Sequence, residues 1–509
     1  MSDNLEDTRP RGVDLRGYTP PRNEVPAPPR FLLWGIIAIF LLGIVGSVAG
    51  VVIFRNVLQP AHQERVMGIL PFMEAFMPPR PAAGETLPTP EVTVDEDISP
   101  EDLITGILPD DDDEEDAENA AGTPTLTPTS TPAPPTPTAT TEPISTPTPE
   151  ATATEVSAIQ PTEVIVSNGD TNGSETTAGS AEANPVSSVP RARNARMFGF
   201  SHAQQTWNNC GPANITMALS YYGWQNDQTY AAQFLKPGGR EDKNVSPSEM
   251  VTFVNENTDV RALTRMGGTL DLLRDFIASD IPVIIETGYT PEGYDWMGHY
   301  QTVVGYDDNN QIFWLYDSFL GSGENGEGIA ENYDYLDEHW RHFNRQFIVI
   351  YEPQREEMVR RILGDYADPI KAAEISLELA TEEATANPNN AFAWHNMGIA
   401  LTALENYERA ALAFDRARRN EPGIPWRMPW YEFSMYRAYY EDGRYSEILT
   451  LVDSNLLNGA NWVEETYYWQ GRALSALGRT NEAGTAFRRA IGRNPSYEAA
   501  QEALEQLNL

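Results

Sequence analysis

The sequence predicts a multi-domain chain of four parts. These are a single N-terminal transmembrane helix, a disordered Pro/Thr-rich stalk, an α+β domain and an all-α domain of helical repeats. Three observations carry this reading. Residues 31–54 hold no charged side chain. From about 78 to 189 the composition shifts to Pro, Thr, Asp and Glu. Beyond 195 ordered patterning returns, first helical, then strand-like, and helical again from about 355 to the end.

A chain of 509 residues has room for two or three globular domains, and its 39 prolines show that it need not be globular throughout. The formal charge of −39 leaves no basic surface to displace counterions from phosphates, which excludes nucleic acid as a partner. A single cysteine, Cys210, excludes an intrachain disulfide framework and any metal site built on several thiolates. No cofactor or metal is expected.

Residues 1–30 are a polar tail with Arg9, Arg11, Arg16, Arg22 and Arg30. The run FLLWGIIAIFLLGIVGSVAGVVIF follows at 31–54. At 1.5 Å per residue it is long enough to cross ~30 Å of hydrocarbon. It exceeds a signal-peptide core, and no small-x-small cleavage site follows it cleanly. Arginines before the span outnumber Arg55 and Arg65 after it, which favours a cytoplasmic N-terminus and places the C-terminal domains outside the cytoplasm at the cell membrane. Residues 55–194 read as a juxtamembrane segment and a disordered acidic linker. An amphipathic helix is expected over 62–77, an acidic run occupies 110–118, and TPTLTPTSTPAPPTPTATTEPISTPTPEATATE follows. Such a tract buries too little apolar surface to offset chain entropy and reads as an extended stalk.

The domain at 195–354 opens with FSHAQQTWNNCGPANITMALSYYGW. A helix is expected to start at Cys210, with Asn208 and Asn209 as cap candidates, Pro212 in the first turn and Gly223 past the end. A second helix over 246–256 carries Ser246 as cap, Pro247 first and Glu249 completing a capping box. A third covers 270–279. The period then changes, and 281–286 (IPVIIE), 300–306 (YQTVVGY), 312–316 (IFWLY) and 346–351 (QFIVIY) read as strands. Helices first and strands after make an α+β domain.

The domain at 355–509 is repetitive. AFAWHNMGIALTALENYERAALAFDRARRNEP (391–422) places Trp394, Gly398, Ala410, Phe414, Ala417 and Pro422 at the spacings of the 34-residue tetratricopeptide pattern. The offsets recur over 464–495 through Gly471, Ala483, Phe487, Ala490 and Pro495. A longer repeat (425–463) fills the gap, and a degenerate one with Gly364 and Pro388 precedes them. Stacked repeats of this kind form grooves that bind protein segments, so a protein partner is expected.

A thiol becomes a useful nucleophile as its thiolate, which a helix N-terminus and a nearby imidazolium both favour. Of the six histidines, His62 lies near the span and His395 inside a repeat. His202 is read as a loop residue, and His339 and His342 as part of a helical turn packing on the sheet. His299 opens a strand, and Asp317 ends the next one. With a turn centred near Asp308–Asn309, antiparallel pairing sets His299 opposite 317 or 318, where a carboxylate can fix the imidazole tautomer and support its charge.

These residues resemble the papain-like cysteine peptidases. More narrowly, QTWNNCGPANITMALSYYGW and GHYQTVVGYDD…YDS resemble the stand-alone relatives of the bacteriocin-leader-processing (double-glycine) peptidase family, over about 196–353. The resemblance implies a papain-like fold with Cys210 as nucleophile, His299 as general base and acid, and Asp317 as the orienting residue. It also implies an oxyanion glutamine. Gln205 fits the phrase Q-T-aromatic-N-N-C, whereas Gln204 keeps the usual six-residue interval; Gln205 is favoured, with Gln204 as alternate. Trp207, Trp296, Tyr294 and Tyr300 are candidates to line a substrate cleft, weighed against ordinary core packing. The chain lacks the phosphate-binding G-x-x-x-x-G-K-[ST] loop and the multiple spans of the family's exporters, so leader export is not implied.

The reading is therefore a membrane-anchored extracytoplasmic cysteine peptidase acting on peptide or isopeptide amides, with a partner-binding repeat domain. The alternatives are a non-enzymatic peptide-binding scaffold, and a thiol acyltransferase or amidase using the same three residues.

Overall fold

The computed structural model describes residues 50–51, 86–91, 98–108, 191–239, 244–291, 294–323 and 325–507. The expected span at 31–54 lies outside the described residues except for Gly50 and Val51, and the tail, the 62–77 helix, the acidic run and the Pro/Thr tract lie outside them as well. Among the described residues no helix is long and apolar enough to cross a membrane. Gly106–Ser188 forms a separate unit, and everything below concerns the unit made of Met1–Thr105 and Val189–Leu509.

One antiparallel sheet organises the domain that follows residue 190. A short helix, α1 (Pro100–Ile104), lies upstream, and the domain itself begins with β1 (Asn194–Arg196), α2 (Cys210–Ser220), α3 (Gln228–Leu235) and α4 (Pro247–Asn257). Strand β2 (Arg261–Arg265) and helix α5 (Leu270–Ala278) come next, then β3 (Val283–Tyr289), β4 (Met297–Asp307), β5 (Ile312–Asp317) and β6 (Ile329–Asn332). Helix α6 (Tyr333–Trp340) and β7 (Phe347–Tyr351) close it. The sheet order is β2-β7-β3-β4-β5-β6, with β1 pairing the far end of β4.

Successive strand side chains point to opposite faces, and both faces here are covered. On one side Ile284, Tyr300, Ile348 and Ile350 pack with Ile215, Leu219, Met250 and Phe253 from α2 and α4. On the other, Val283, Ile285, Val303 and Val349 meet Leu273 and Phe276 of α5 and Trp340 of α6. Burial on both faces explains why β3 and β7 read as continuous apolar runs. The capping box at α4 forms as expected, with Ser246 and Glu249 exchanging bonds and Pro247 in the first turn. Strands β1, β2 and β6 and helix α3 are short or mixed in pattern, and the sequence reading passed over them.

The hairpin register departs from expectation. Its turn takes up 308–311, and Asp307 pairs with Ile312. This turn is centred one residue later than expected and carries His299 past Asp317, and a β-bulge between Val303 and Gly305 shifts the ladder back by one, so that Gln301 stands directly opposite Asp317. His299 is two residues along on the same face, a diagonal neighbour within reach of its side chain.

The repeats run from α7 (Glu356–Leu363) and α8 (Pro369–Ala386) through α9 (Ala391–Ala403) and α10 (Tyr407–Arg419). They continue as α11 (Ser434–Glu441), α12 (Tyr445–Leu457), α13 (Glu464–Ala476), α14 (Thr480–Arg493) and α15 (Glu498–Gln506). The signature glycines have a steric cause. A Cβ on Gly398 would stand 2.7 Å from the Phe414 ring, and one on Gly471 2.5 Å from Phe487.

Part of the stretch read as disordered linker is ordered. Leu87 donates its backbone N–H to Ile424 O at 2.9 Å, and Thr86 bridges Pro425. Arg418 Nε reaches the Pro88 carbonyl at 2.8 Å, and Arg409 Nη1 reaches those of Leu103 and Thr105 at 3.2 and 2.9 Å. Leu87 is 4% exposed and Leu103 2%. Composition misses this because the groups that hold 86–105, among them Thr385, Arg409, Arg418 and Ile424, lie on repeats more than 280 residues later in the chain. The chain thus contacts the repeat domain before it enters the α+β domain. A site-specific protease site placed between 109 and 190 should, once cut, leave both fragments co-eluting on size exclusion. Release of the N-terminal fragment from the otherwise unaltered chain would show that the contact at 86–105 does not hold.

Candidate active site

Cys210 is the first residue of α2, so its side chain sits where unpaired N–H groups and the helix dipole favour an anion. The expected cap differs in detail. Asn209 occupies the N-cap position without a side-chain bond to the helix; its Nδ2 donates instead to Gln228 Oε1 at 2.6 Å. The same Gln228 oxygen accepts the Thr206 N–H at 2.9 Å, and Gln228 Nε2 donates to Gln204 O at 2.7 Å. One buried glutamine on α3 therefore ties together the loop leading to the nucleophile. Lys236 Nζ adds a bond to Asn208 O at 2.7 Å.

Strand β4 brings His299 to the thiol, and the two side chains are hydrogen-bonded. The other side of the imidazole faces Asp317, with Nε2–H donating to Oδ1 at 2.9 Å. Asp317 is fully buried and oriented from several directions. Its Oδ1 also accepts the N–H groups of Phe319 and Leu320 at 2.6 and 2.8 Å, and its Oδ2 accepts Gln301 Nε2 at 2.9 Å.

The charges follow from these contacts. Burial pulls the imidazole down, but the charge and hydrogen bond of Asp317, joined by the thiol, outweigh it and His299 is pushed up to about 10. Burial alone would raise the Cys210 thiol. The hydrogen bond and charge of His299, with the Tyr300 N–H and Lys236, bring it below its ordinary value. Asp317 is held below the usual carboxylate range, because the imidazolium and two backbone N–H donors overcome its burial. Nearby Glu331, half-buried, is pushed up to about 7 by desolvation and the charge of Asp317.

The two glutamines are used differently. Gln204 Nε2 donates to the Phe319 carbonyl at 2.6 Å. Gln205 is buried, with its backbone N–H on Ser318 O at 2.7 Å and its Oε1 accepting from Ser318 Oγ at 2.7 Å. Ser318 Oγ is itself set by Asn214 Nδ2 at 3.1 Å, and Asn214 Nδ2 also reaches Tyr300 O at 2.7 Å.

The aromatic candidates fall in different surroundings. The Tyr300 ring belongs to the core against α2 and α4, and its hydroxyl donates to Val245 O at 2.8 Å; only its backbone N–H serves the thiol. Trp296 stacks on Phe343 and meets Phe392 and Tyr431 of the repeats. Tyr294 packs edge-on to Phe319. Trp207 stays half-buried on the loop before Cys210. His202 Nε2 binds the Asp317 carbonyl oxygen at 2.9 Å, His339 bonds Tyr335 O, and His342 bonds Gly288 O. Among the described residues no cluster suited to a metal ion occurs.

Gln228, Gln301, Lys236, Asn214 and Ser318 were not singled out from the sequence. For Gln301 there was a signal, since two residues beyond His299 on one strand must share its face. The others converge only through the tertiary fold.

Residues 199–348 match the model of the Peptidase_C39 like family, and residues 464–497 match that of the tetratricopeptide repeat. Among solved structures, one described as a C39-like peptidase from Bacillus anthracis is 16% identical, covers 31% of this chain and 96% of its own, and superposes with a TM-score of 0.26. The peptidase domain of Streptococcus ComA, a bi-functional ABC transporter involved in a quorum sensing pathway, is 14% identical over 30% of this chain and 98% of its own, with a TM-score of 0.24. A double glycine motif protease from an AMS/PCAT transporter, solved with its leader peptide, is 14% identical over 31% and 94%, with a TM-score of 0.22. No curated protein matches. The chain carries a C39-like peptidase domain followed by tetratricopeptide repeats.

Proposed function

We propose that this protein is a cysteine peptidase, in which Cys210 attacks the carbonyl of a peptide or isopeptide amide. The observation that carries the reading is the contiguous set of Cys210 at a helix start, His299 bonded to it, and Asp317 bonded to the far imidazole nitrogen. The thiolate adds to the carbonyl and forms a C–S bond. His299 then gives its proton to the leaving amine as the C–N bond breaks, leaving a thioester. Water, deprotonated by His299, hydrolyses it and returns the thiol.

The oxyanion formed at each addition is met by Gln205 Nε2 and the Cys210 backbone N–H. What supports Gln205 over Gln204 is the engagement of the Gln204 amide by the Phe319 carbonyl. Gln205→Ala should lower kcat by roughly 100- to 1000-fold with little change in KM. Gln204→Ala, a loop contact, should cost under about tenfold in kcat. The reverse ranking would move the oxyanion role to Gln204.

The uncharged run at 31–54 supports anchoring of this enzyme in a membrane, with its folded domains on the extracytoplasmic side, and the repeats would recruit a protein partner. The direct test of the activity is cleavage of a peptide library read by mass spectrometry, with Cys210→Ala as control. Cleavage that persists in Cys210→Ala would remove the assignment.

A further inference from the structure

The repeats contribute directly to the surroundings of Cys210. Tyr431, from the segment between α10 and α11, lies on β4: its hydroxyl meets the backbone N–H of Gly298, the residue before His299, and it is close enough to Cys210 to feel the thiolate charge. The contact is tight, because a Cβ on Gly298 would stand 2.6 Å from the Phe343 ring and 3.2 Å from that of Tyr431. Arg427 and Asp295, 3.7 Å apart, bridge the same seam.

Beside this contact is a cavity of about 410 Å³. Its floor is the α2-facing side of the sheet, with Glu286, Gln346 and Thr264, and the start of α4 forms one wall. Tyr431, Glu432, Phe433 and Trp469 of the repeats form the opposite wall. Two carboxyl groups line this space with few donors between them. Glu286 is 5% exposed, and its hydrogen-bond partner, the Tyr300 hydroxyl, is shared with Val245 O. Glu432 accepts the Ser434 N–H on Oε1, but its buried Oε2 has no hydrogen-bond partner. The closest imidazole, His395, is 3.9 Å from that oxygen, and its own burial keeps it neutral. Among the described residues the one cation lining the cavity is Arg437, an exposed side chain engaged by Tyr407 and Glu405. Burial raises both carboxyl groups, and the charges of Cys210 and Glu432 raise Glu286 further. A cation entering the cavity would relieve all of these costs at once.

We propose that this cavity is a substrate subsite taking a basic side chain, lysine or arginine, of the peptide being cleaved, with Glu286 and Glu432 as its counter-charges and Tyr431 as the wall supplied by the repeats. The assignment rests on the peptidase reading, and it makes the repeat domain a determinant of specificity in addition to a site for partners.

The test uses the full chain and internally quenched octapeptides in which each position flanking the scissile bond is lysine, arginine, norleucine or glutamate. At one position, kcat/KM should be at least tenfold higher for lysine or arginine than for norleucine, and lowest for glutamate. In Glu286→Gln and in Glu432→Gln the basic-to-norleucine ratio should fall below about threefold. The lysine and arginine arms show whether an ammonium or a guanidinium fits better. Equal rates in the wild type, or a preference that survives both substitutions, would overturn the proposal and leave the peptidase assignment intact. If no peptide is cleaved, affinities of the Cys210→Ala chain for the same peptides decide. A basic preference lost in the additional Glu286→Gln background upholds the subsite while the peptidase reading falls, and no preference removes both.

Discussion

Replacing His299 with alanine should slow peptide cleavage by roughly 1000-fold or more and return Cys210 to the reactivity of an ordinary thiol. The two effects share a cause. In the native site the thiol is lowered by the hydrogen bond and charge of His299 against the cost of burial, while Asp317 pushes the imidazole up to about 10. The reactive thiolate–imidazolium pair therefore exists from the lowered thiol pKa upward and is lost as the pH rises through about 10, where the imidazolium gives up its proton. Alkylation of Cys210 by iodoacetamide should accordingly be fast and nearly flat across neutral pH. In His299→Ala the charge that lowers the thiol is gone and burial remains, so the rate should rise only near or above the ordinary thiol value of about 8.5. A wild-type alkylation profile already centred near 8.5, unmoved by His299→Ala, would show that no ion pair forms.

Arg418→Met should destabilise the repeat domain by about 3–5 kcal/mol, read as a shift of the guanidinium unfolding midpoint. The Arg418 side chain is fully buried and Glu447 nearly so, with Nη1 to Oε2 at 3.0 Å. Nη1 also bonds the Tyr439 hydroxyl at 3.0 Å, and Nε holds the Pro88 carbonyl at 2.8 Å. Glu447 Oε1 in turn accepts the Glu91 N–H at 2.6 Å. Removing the guanidinium leaves a buried carboxylate whose remaining cation, Arg444, is 3.8 Å from it. The contact between 86–91 and the repeats should loosen in the same variant, seen as faster proteolysis in that segment. Replacing both partners, Arg418→Met with Glu447→Leu, should recover part of the loss, because no uncompensated charge then stays behind. A single variant within 1 kcal/mol of wild type would show that the pair is not under the strain of burial.

Much of the framework was legible in the linear pattern, and particular residues show why. The capping box at Ser246–Glu249 is set within one turn of helix, and the repeat signatures at Gly398 and Gly471 by Phe414 and Phe487 on the helix that follows each. Period-2 alternation and β-branched runs placed β3, β4, β5 and β7 to within a few residues. Three features were not legible. The bulge at Val303–Gly305 changes the register by a residue through backbone geometry that no side-chain pattern encodes. Residues 86–105 look like a linker because the groups that order them, among them Arg418, Arg409 and Thr385, are encoded more than 280 positions away. Trp296 and Tyr300 read as cleft or core from the sequence, and only the fold shows that Trp296 packs against the repeats and Tyr300 against α2.

By itself the sequence determined the order of the parts, the helix start beneath Cys210, and the presence of an imidazole and a carboxylate on consecutive strands. Those are properties of short segments, governed by capping, periodicity and chain reversal. Only the tertiary structure decided that the Phe319 carbonyl takes the Gln204 amide while Ser318 meets Gln205, how Asp317 reaches His299 across a shifted ladder, and that Tyr431 and Glu432 of the repeats stand beside the site. Each of these depends on desolvation and contact between segments far apart in the chain, and those energies exist only once the sheet has formed and the repeats have docked against it.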